Sequence, residues 1–201
     1  MIKNIIFDFG NVLVHHDLHP MLSCCFGNDS EAMDKFHTIL SDREFVDACD
    51  RGVTPFGRMV DNLIRQYPEY KDAFLYFRDN YLDEITGEVE GMRQLLLRLK
   101  SEGYKLYGLT NWSDTIYKVM DKFDIFQLLD GRVISCEEHS IKPEKEIYLR
   151  LCEKYGLNPD ECLFTDDRIS NVEGAKAVGM YAVIFTDCQK FISDIRQIIA
   201  F

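Results

Sequence analysis

The sequence predicts an α/β fold: a doubly wound parallel sheet with an all-helical segment inserted after its first strand. Short apolar runs without polar alternation, Ile5-Ile6-Phe7 and Cys162-Leu163-Phe164, read as strands buried on both faces, the habit of parallel sheets. From Gly87 onward, strand patterns alternate with helical ones of roughly 10 to 15 residues, the spacing of crossover connections. Between these two regions, from residue 15 to about 88, strand signals vanish and helical spacing takes over.

The elements follow in chain order. Ile5-Ile6-Phe7 stops at Asp8, and Gly10-Asn11 supply a sharp exit, since both tolerate unusual backbone angles. The segment Val14-His15-His16-Asp17-Leu18-His19-Pro20 reads as a polar link into the insertion. Met33, Phe36 and Leu40 share one side of a helix over 30–40. Thr54-Pro55 reads as a cap with proline at the first helical position, and Phe56, Met59, Val60, Leu63, Ile64 and Tyr67 recur behind it. Pro68 closes that helix and 70–81 supplies another, so the insertion should hold three or four helices. The core then resumes with a helix over 92–100, a strand over 104–110 and a helix from Ile116 to Phe123. A strand over 132–136 and a helix over 144–155 come next. Strand 162–165 ends in Asp166-Asp167, and helix 171–178 and strand 181–185 complete the pattern. The division is therefore 1–14 with 89–201 as the core domain and 15–88 as the helical one.

Composition narrows the function. A hydrophobic share of 46% is ample for a sizeable core. No apolar run approaches the roughly 18 residues of a membrane span, and no secretory signal pattern precedes the first strand. Seven cysteines without paired CxxC spacing read as reduced thiols, and the expected location is cytoplasmic. The net charge of -11 argues against nucleic acid or an anionic membrane as partner. An anionic substrate would need a local positive field from a metal, a lysine or a helix N-terminus. Oligomeric state is not legible.

Chemistry-bearing residues cluster at strand ends: Asp8 after the first, Thr110-Asn111 after the second, Asp166-Asp167 after the fourth. Ligands of open α/β sheets bind beyond the carboxyl ends of the strands, and adjacent ends lie about 5 Å apart. Lys142, at a helix start, can join them. Three crowded carboxylates call for a cation, and hard oxygen ligands favour magnesium. Asp8 could keep one oxygen as nucleophile, while Thr110, Lys142 and backbone amides hold phosphate oxygens. These are the parts of phosphoryl transfer through an aspartyl-phosphate.

On Asp8 in FDFGNVL, Thr110-Asn111 in LTN, Lys142 in KPE and Asp166-Asp167 in FTDDRISN, the chain resembles the haloacid dehalogenase superfamily of hydrolases. These motifs fall in family order and span nearly the whole chain. The resemblance implies a Rossmann-like core and a helical cap over residues 15–88. It implies Asp8 as nucleophile, with Mg2+ held by Asp8, the carbonyl of Gly10, and Asp167 with help from Asp166. Substrate contacts fall to Thr110, Asn111 and Lys142. The FDFGNVL and DDxxxN variants are similar to the branch of glucose-1-phosphate phosphatase and the phosphatase domain of epoxide hydrolase, which points to a small phosphorylated metabolite, a sugar phosphate first.

Two departures stand out. Family phosphatases carry a second aspartate two residues after the nucleophile, as acid to the leaving alcohol; here it is Gly10. His139-Ser140-Ile141 precede Lys142, where relatives often have glycine and a basic residue. His15, His16 and His19 are candidates for a substitute acid, against the plainer reading as linker residues. Trp112 could stack on substrate or simply pack, and Asn171 should brace the acidic loop. The rival readings are a carbon–halogen hydrolase, which needs no metal, and a non-catalytic binding protein on the same scaffold.

Overall fold

The computed structural model describes residues 1–199. In chain order, β1 (Asn4–Phe7) and β2 (Val14–His16) lead into α1 (His19–Phe26), α2 (Ser30–Leu40), α3 (Arg43–Arg51), α4 (Phe56–Gln66) and α5 (Lys71–Asp79). There follow β3 (Ile85–Glu88), α6 (Met92–Ser101), β4 (Lys105–Thr110), α7 (Ile116–Lys122), β5 (Gly131–Ile134) and the short α8 (Ser135–Glu138). The chain continues through α9 (Lys145–Tyr155), β6 (Cys162–Asp166), α10 (Ile169–Ala177), β7 (Tyr181–Ile184) and α11 (Cys188–Ile195).

Five strands form one parallel sheet in the order β5-β4-β1-β6-β7, the doubly wound topology expected. β1 is central, and its side chains divide the core. Ile5 and Phe7 point into one apolar layer, while Ile6 joins Leu109, Val133, Tyr148 and Phe164 in the other. All of these are buried, at about 1.5–3 kcal/mol each for a large apolar side chain. Register sets the site: Phe7 is level with Thr165 of β6 and with Gly108 of β4, so Asp8 leaves the sheet beside the ends of both neighbours.

Four local expectations are corrected. The insertion carries five helices, α1 to α5, rather than three or four, because α1 and α3 span only eight and nine residues. Its two ends pair as an antiparallel hairpin, β2 with β3, so His15 and His16 are strand residues and not linker. Strands of three and four residues leave too little alternation to read. At α4 the cap is not Thr54: Pro55 holds that position, and the Phe56 N–H is taken by Asp114 Oδ1 at 2.9 Å from the core domain. A cap supplied across the fold has no sequence-local signature. The strand expected over 132–136 ends at Ile134, and Ser135 and Cys136 turn into α8.

The cap has an aromatic interior. Phe36, fully buried, packs on Phe26, Tyr70 and Phe74, and Phe56 packs on Phe77 and Tyr81. It meets the core where α3 ends against α8. Ser135 Oγ donates to the Asp50 carbonyl at 2.6 Å, and Arg51 pairs with Glu144. Gly52, at φ 63°, lies so close that a Cβ there would come within 2.4 Å of Cys136 Cβ. Only glycine fits both that backbone angle and that approach.

Candidate active site

Lys142 is the centre of the site. Its side chain is fully buried, and its ammonium spends all three N–H groups: on Asp8 Oδ1 at 2.8 Å, Asp166 Oδ2 at 2.6 Å and the Leu109 carbonyl at 3.0 Å. Glu144, two residues on, pairs with Arg51 instead. Burial pulls the Lys142 ammonium toward its neutral form, but the charges of Asp8 and Asp166 outweigh this and hold it protonated. The backbone of Lys142 is clamped by Asn111, whose Oδ1 accepts from Lys142 N at 2.7 Å and whose Nδ2 donates to Lys142 O at 3.0 Å. Asn111 lines the cavity, yet both ends of its amide are committed to placing the lysine.

Asp8 has one anchored oxygen. Oδ1 also accepts from the Phe9 N–H at 2.7 Å, while Oδ2 accepts no hydrogen bond from the described residues. Phe9 is fixed in turn because its ring lies on Gly108, where any Cβ would come within 2.3 Å of it. Burial pushes the Asp8 carboxyl up to about 7, against the pull of Lys142 and with a push from Asp166. Asp166 is the reverse case. It is buried too, but Lys142 and hydrogen bonds from Arg168 N and Asn171 Nδ2 outweigh burial and hold it below the usual carboxylate range. Asn171 thus braces the acidic loop.

Oxygens of Asp8, Asp166 and Asp167 lie within 4.8 Å of one another. Carboxylates this close, two of them buried, fit a hard divalent cation. Asp167 is the exposed member and has only a long bond from Asn11 Nδ2 at 3.4 Å, so its lone pairs are the most available. Burial and the charge of Asp166 push its carboxyl up. Gly10 lines the cavity beside them, but it is Asn11, at φ 56°, that takes the left-handed backbone at the exit from β1.

Thr110 is brought to the same strand edge but does not line the cavity. It is fully buried, with a hydroxyl that has no hydrogen-bond partner among the described residues, a property it shares with Thr165.

Above these groups is a cavity of about 220 Å³ between core and cap. Its floor is polar, with Asp8, Asn111, Lys142, Asp167 and Arg168; its walls are apolar cap residues such as Leu18, Phe45, Val46, Phe56 and Phe77. Of the three candidate histidines only His16 lines it. Trp112 lines it as well, 5% exposed, with its indole N–H donated to Thr115 Oγ1 at 3.2 Å. Among the lining residues that carried no sequence signal are Asp50, Tyr81 and Glu84. They come from the cap, and nothing in their local spacing separates them from ordinary surface or turn residues. Burial pushes Asp50 up to about 7, with Arg168 the largest opposing charge.

A family profile described as haloacid dehalogenase-like hydrolase matches residues 2–179. The chain belongs to that family of enzymes, as the fold and the strand-end carboxylates already indicate. It is 28% identical over 110 residues to flavin mononucleotide hydrolase 1 of Arabidopsis thaliana, covering 55% of this chain and 45% of that one. The chain thus spans about half the length of this relative. It is 27% identical over 198 residues to glyceraldehyde 3-phosphate phosphatase of Pyrococcus abyssi, covering 92% and 82% of the two chains. A HAD family enzyme of Bacteroides thetaiotaomicron, solved with magnesium and inorganic phosphate, superimposes with a TM-score of 0.71 at 24% identity, over 94% of this chain and 96% of that one.

Proposed function

We propose that the protein is a magnesium-dependent phosphatase of small phosphorylated metabolites, acting through an aspartyl-phosphate on Asp8. The observation that carries this reading is the asymmetry of Asp8: Lys142 and Phe9 N hold one oxygen, and the other is free beside the cavity. A fixed carboxylate with one unengaged oxygen is placed for in-line attack. Asp8, the Gly10 carbonyl and Asp167 would hold the metal. Asp166, whose oxygens are already engaged by Lys142, Asn171 and Arg168 N, would join through water or by exchanging one of those bonds. When bound, the ion supplies charge neutralisation for the transferring group.

The chain's own residues do the rest. Lys142 balances the negative charge as Asp8 attacks phosphorus, and Asn111 keeps Lys142 in place. The cavity size suits a leaving group of a few carbons up to a hexose. Its polar carboxylates beside apolar walls, and the glyceraldehyde 3-phosphate phosphatase among the relatives, favour a sugar phosphate. A carbon–halogen hydrolase would leave the Asp166-Asp167 pair without a role, and a binding protein would leave the attacking geometry of Asp8 unused.

A panel of phosphorylated metabolites and an aryl phosphate, assayed with magnesium and with a chelator, tests the proposal. Hydrolysis should require the metal and fall at least about 10⁴-fold in Asp8→Asn. Full activity in that variant, or in chelator, refutes the mechanism.

A further inference from the structure

The phosphatase reading, on which this inference rests, leaves one proton unaccounted for. When Asp8 attacks phosphorus, the bond to the leaving oxygen breaks and its electron pair goes to an alkoxide, which needs a proton at once. The groups around Asp8 cannot supply it. All three Lys142 N–H groups are engaged, Asp166 is held ionised by Lys142, and Asp167 belongs to the cation cluster.

Residue 10, two past the nucleophile, has no side chain, and the space beside it is filled from elsewhere. A Cβ on Gly10 would meet the Trp112 ring at 3.6 Å. Trp112 in turn carries His16, the two rings edge to face with centroids 5.7 Å apart. So the sequence Gly10, Trp112, His16 forms one packed column along the cavity wall, with an imidazole at its far end.

Behind His16 stands Glu84. It is 1% exposed and lines the same cavity, and neither of its oxygens accepts a hydrogen bond by strict geometry among the described residues. Its one ionic neighbour is His16, with Nε2 at 3.2 Å from Oε2. A carboxylate this deep is costly to ionise without a cation beside it, and burial does push Glu84 up while His16 opposes the rise. Nε2 lies on the Glu84 side, which leaves Nδ1 as the ring nitrogen without a partner among the described residues. The backbone of His16 is fixed as well: its N–H is donated to Asn11 Oδ1 at 3.1 Å, on the loop that carries the nucleophile.

We propose that His16, oriented by Glu84, is the acid that protonates the leaving oxygen. The step balances. Asp8 Oδ2 forms the bond to phosphorus, the ester P–O bond breaks, and the leaving oxygen takes the Nδ1 proton, giving the alcohol and a neutral imidazole. In the second half, water attacks the aspartyl-phosphate, the imidazole takes a proton from it, phosphate leaves and Asp8 returns as carboxylate. Glu84 is a positioning residue, touching His16 and not the substrate. The other groups facing His16 are Tyr81 from the turn that holds Glu84 and Asp50 from α3, with Arg168 and Lys142 across the cavity. Asp50 is the one rival donor.

Leaving-group dependence is the test, because an aryloxide departs unaided and an alkoxide does not. The wild-type chain, His16→Gln, Glu84→Gln and Asp50→Asn are assayed with magnesium on an aryl phosphate and on an alkyl phosphate, each variant checked by thermal melting. His16→Gln should lower kcat/KM for the alkyl ester by about 10²–10⁴-fold and for the aryl ester by less than about 10-fold. Glu84→Gln should show the same selectivity at about 10²-fold, a pattern that mere loosening of the cap would not produce. Equal losses on both esters in a variant that melts like wild type overturn the assignment, as does selectivity confined to Asp50→Asn. If His16→Gln does not fold, Glu84→Gln decides by the same two outcomes. A wild-type chain that hydrolyses neither ester removes the phosphatase reading and this assignment with it.

Discussion

Replacing Lys142 by methionine should be among the most damaging single changes in this protein, and its cost should depend on pH. The side chain is fully enclosed, and it lies within 2.8 Å of a carboxylate oxygen on Asp8 and 2.6 Å of one on Asp166. Methionine keeps the apolar volume but leaves two buried carboxylates facing one another without a counter-charge. Breaking a buried ion pair from one side costs about 3–5 kcal/mol. For a domain of this size each kcal/mol lowers Tm by about 2–4 °C, so the drop at pH 8 should be about 6–20 °C. At pH 5 the penalty should shrink, for a reason of sign. Without the lysine, burial raises both carboxyls above the ordinary 3.8, so the folded state binds protons that the unfolded state gives up. A group raised in this way contributes stability below its unfolded value and loses it as pH rises through its folded one. Holding one such carboxyl protonated at pH 5 costs about 1.6 kcal/mol, at 1.36 kcal/mol per pH unit. Thermal melts of wild type and variant at pH 5 and 8, without metal, measure both quantities. A drop below about 3 °C at pH 8, or an equal drop at the two pH values, refutes the account of Lys142 as the charge that holds the site together.

Two further outcomes follow from the cap. Gly52→Ala adds a Cβ at a left-handed backbone position, 2.4 Å from Cys136 Cβ and 2.7 Å from its Cα, so α3 must shift off α8. Strain plus overpacking should cost about 2–4 kcal/mol in chemical denaturation, and KM should rise, since α3 carries part of the cavity wall; an unchanged midpoint would contradict the close approach. Asp50→Asn removes a carboxyl that burial pushes up to about 7. Because that value is raised, wild type loses stability as pH climbs from about 4 through 7, and the variant should escape this loss. Discounted for the water that reaches a half-buried group, the gain at pH 8 relative to pH 5 should be on the order of 2 kcal/mol or less. Melts across that range check it, and a variant whose profile parallels wild type contradicts the burial of that carboxyl.

The parallel sheet was legible because its cause is local. Ile5-Ile6-Phe7 and Leu163-Phe164 are apolar at every position, which is what burial on two faces demands, and Asp8 and Asp166 interrupt them where the strands end. Once those runs are strands of one sheet, the carboxylates at their ends must share an edge; order in the chain and the pitch of a sheet suffice. The family follows from the same residues and is matched over 2–179.

What escaped was whatever depends on two distant segments meeting. The cap on α4 is Asp114, 58 residues away, so Thr54 looked like a cap and is not one. The β2–β3 hairpin joins residues about 70 apart through strands too short to alternate visibly. That pairing is what turns His16 into the cavity and sets Glu84 behind it, while His15 and His19, identical in type, stay outside. Residue identity placed Asp8 together with Asp166 and Asp167, because like charges at neighbouring strand ends have few stable arrangements. The shape and lining of the cavity around His16 were decided only by folding, because they arise from packing strand-end loops against the helices of the insertion, and no local pattern records which side chains will meet.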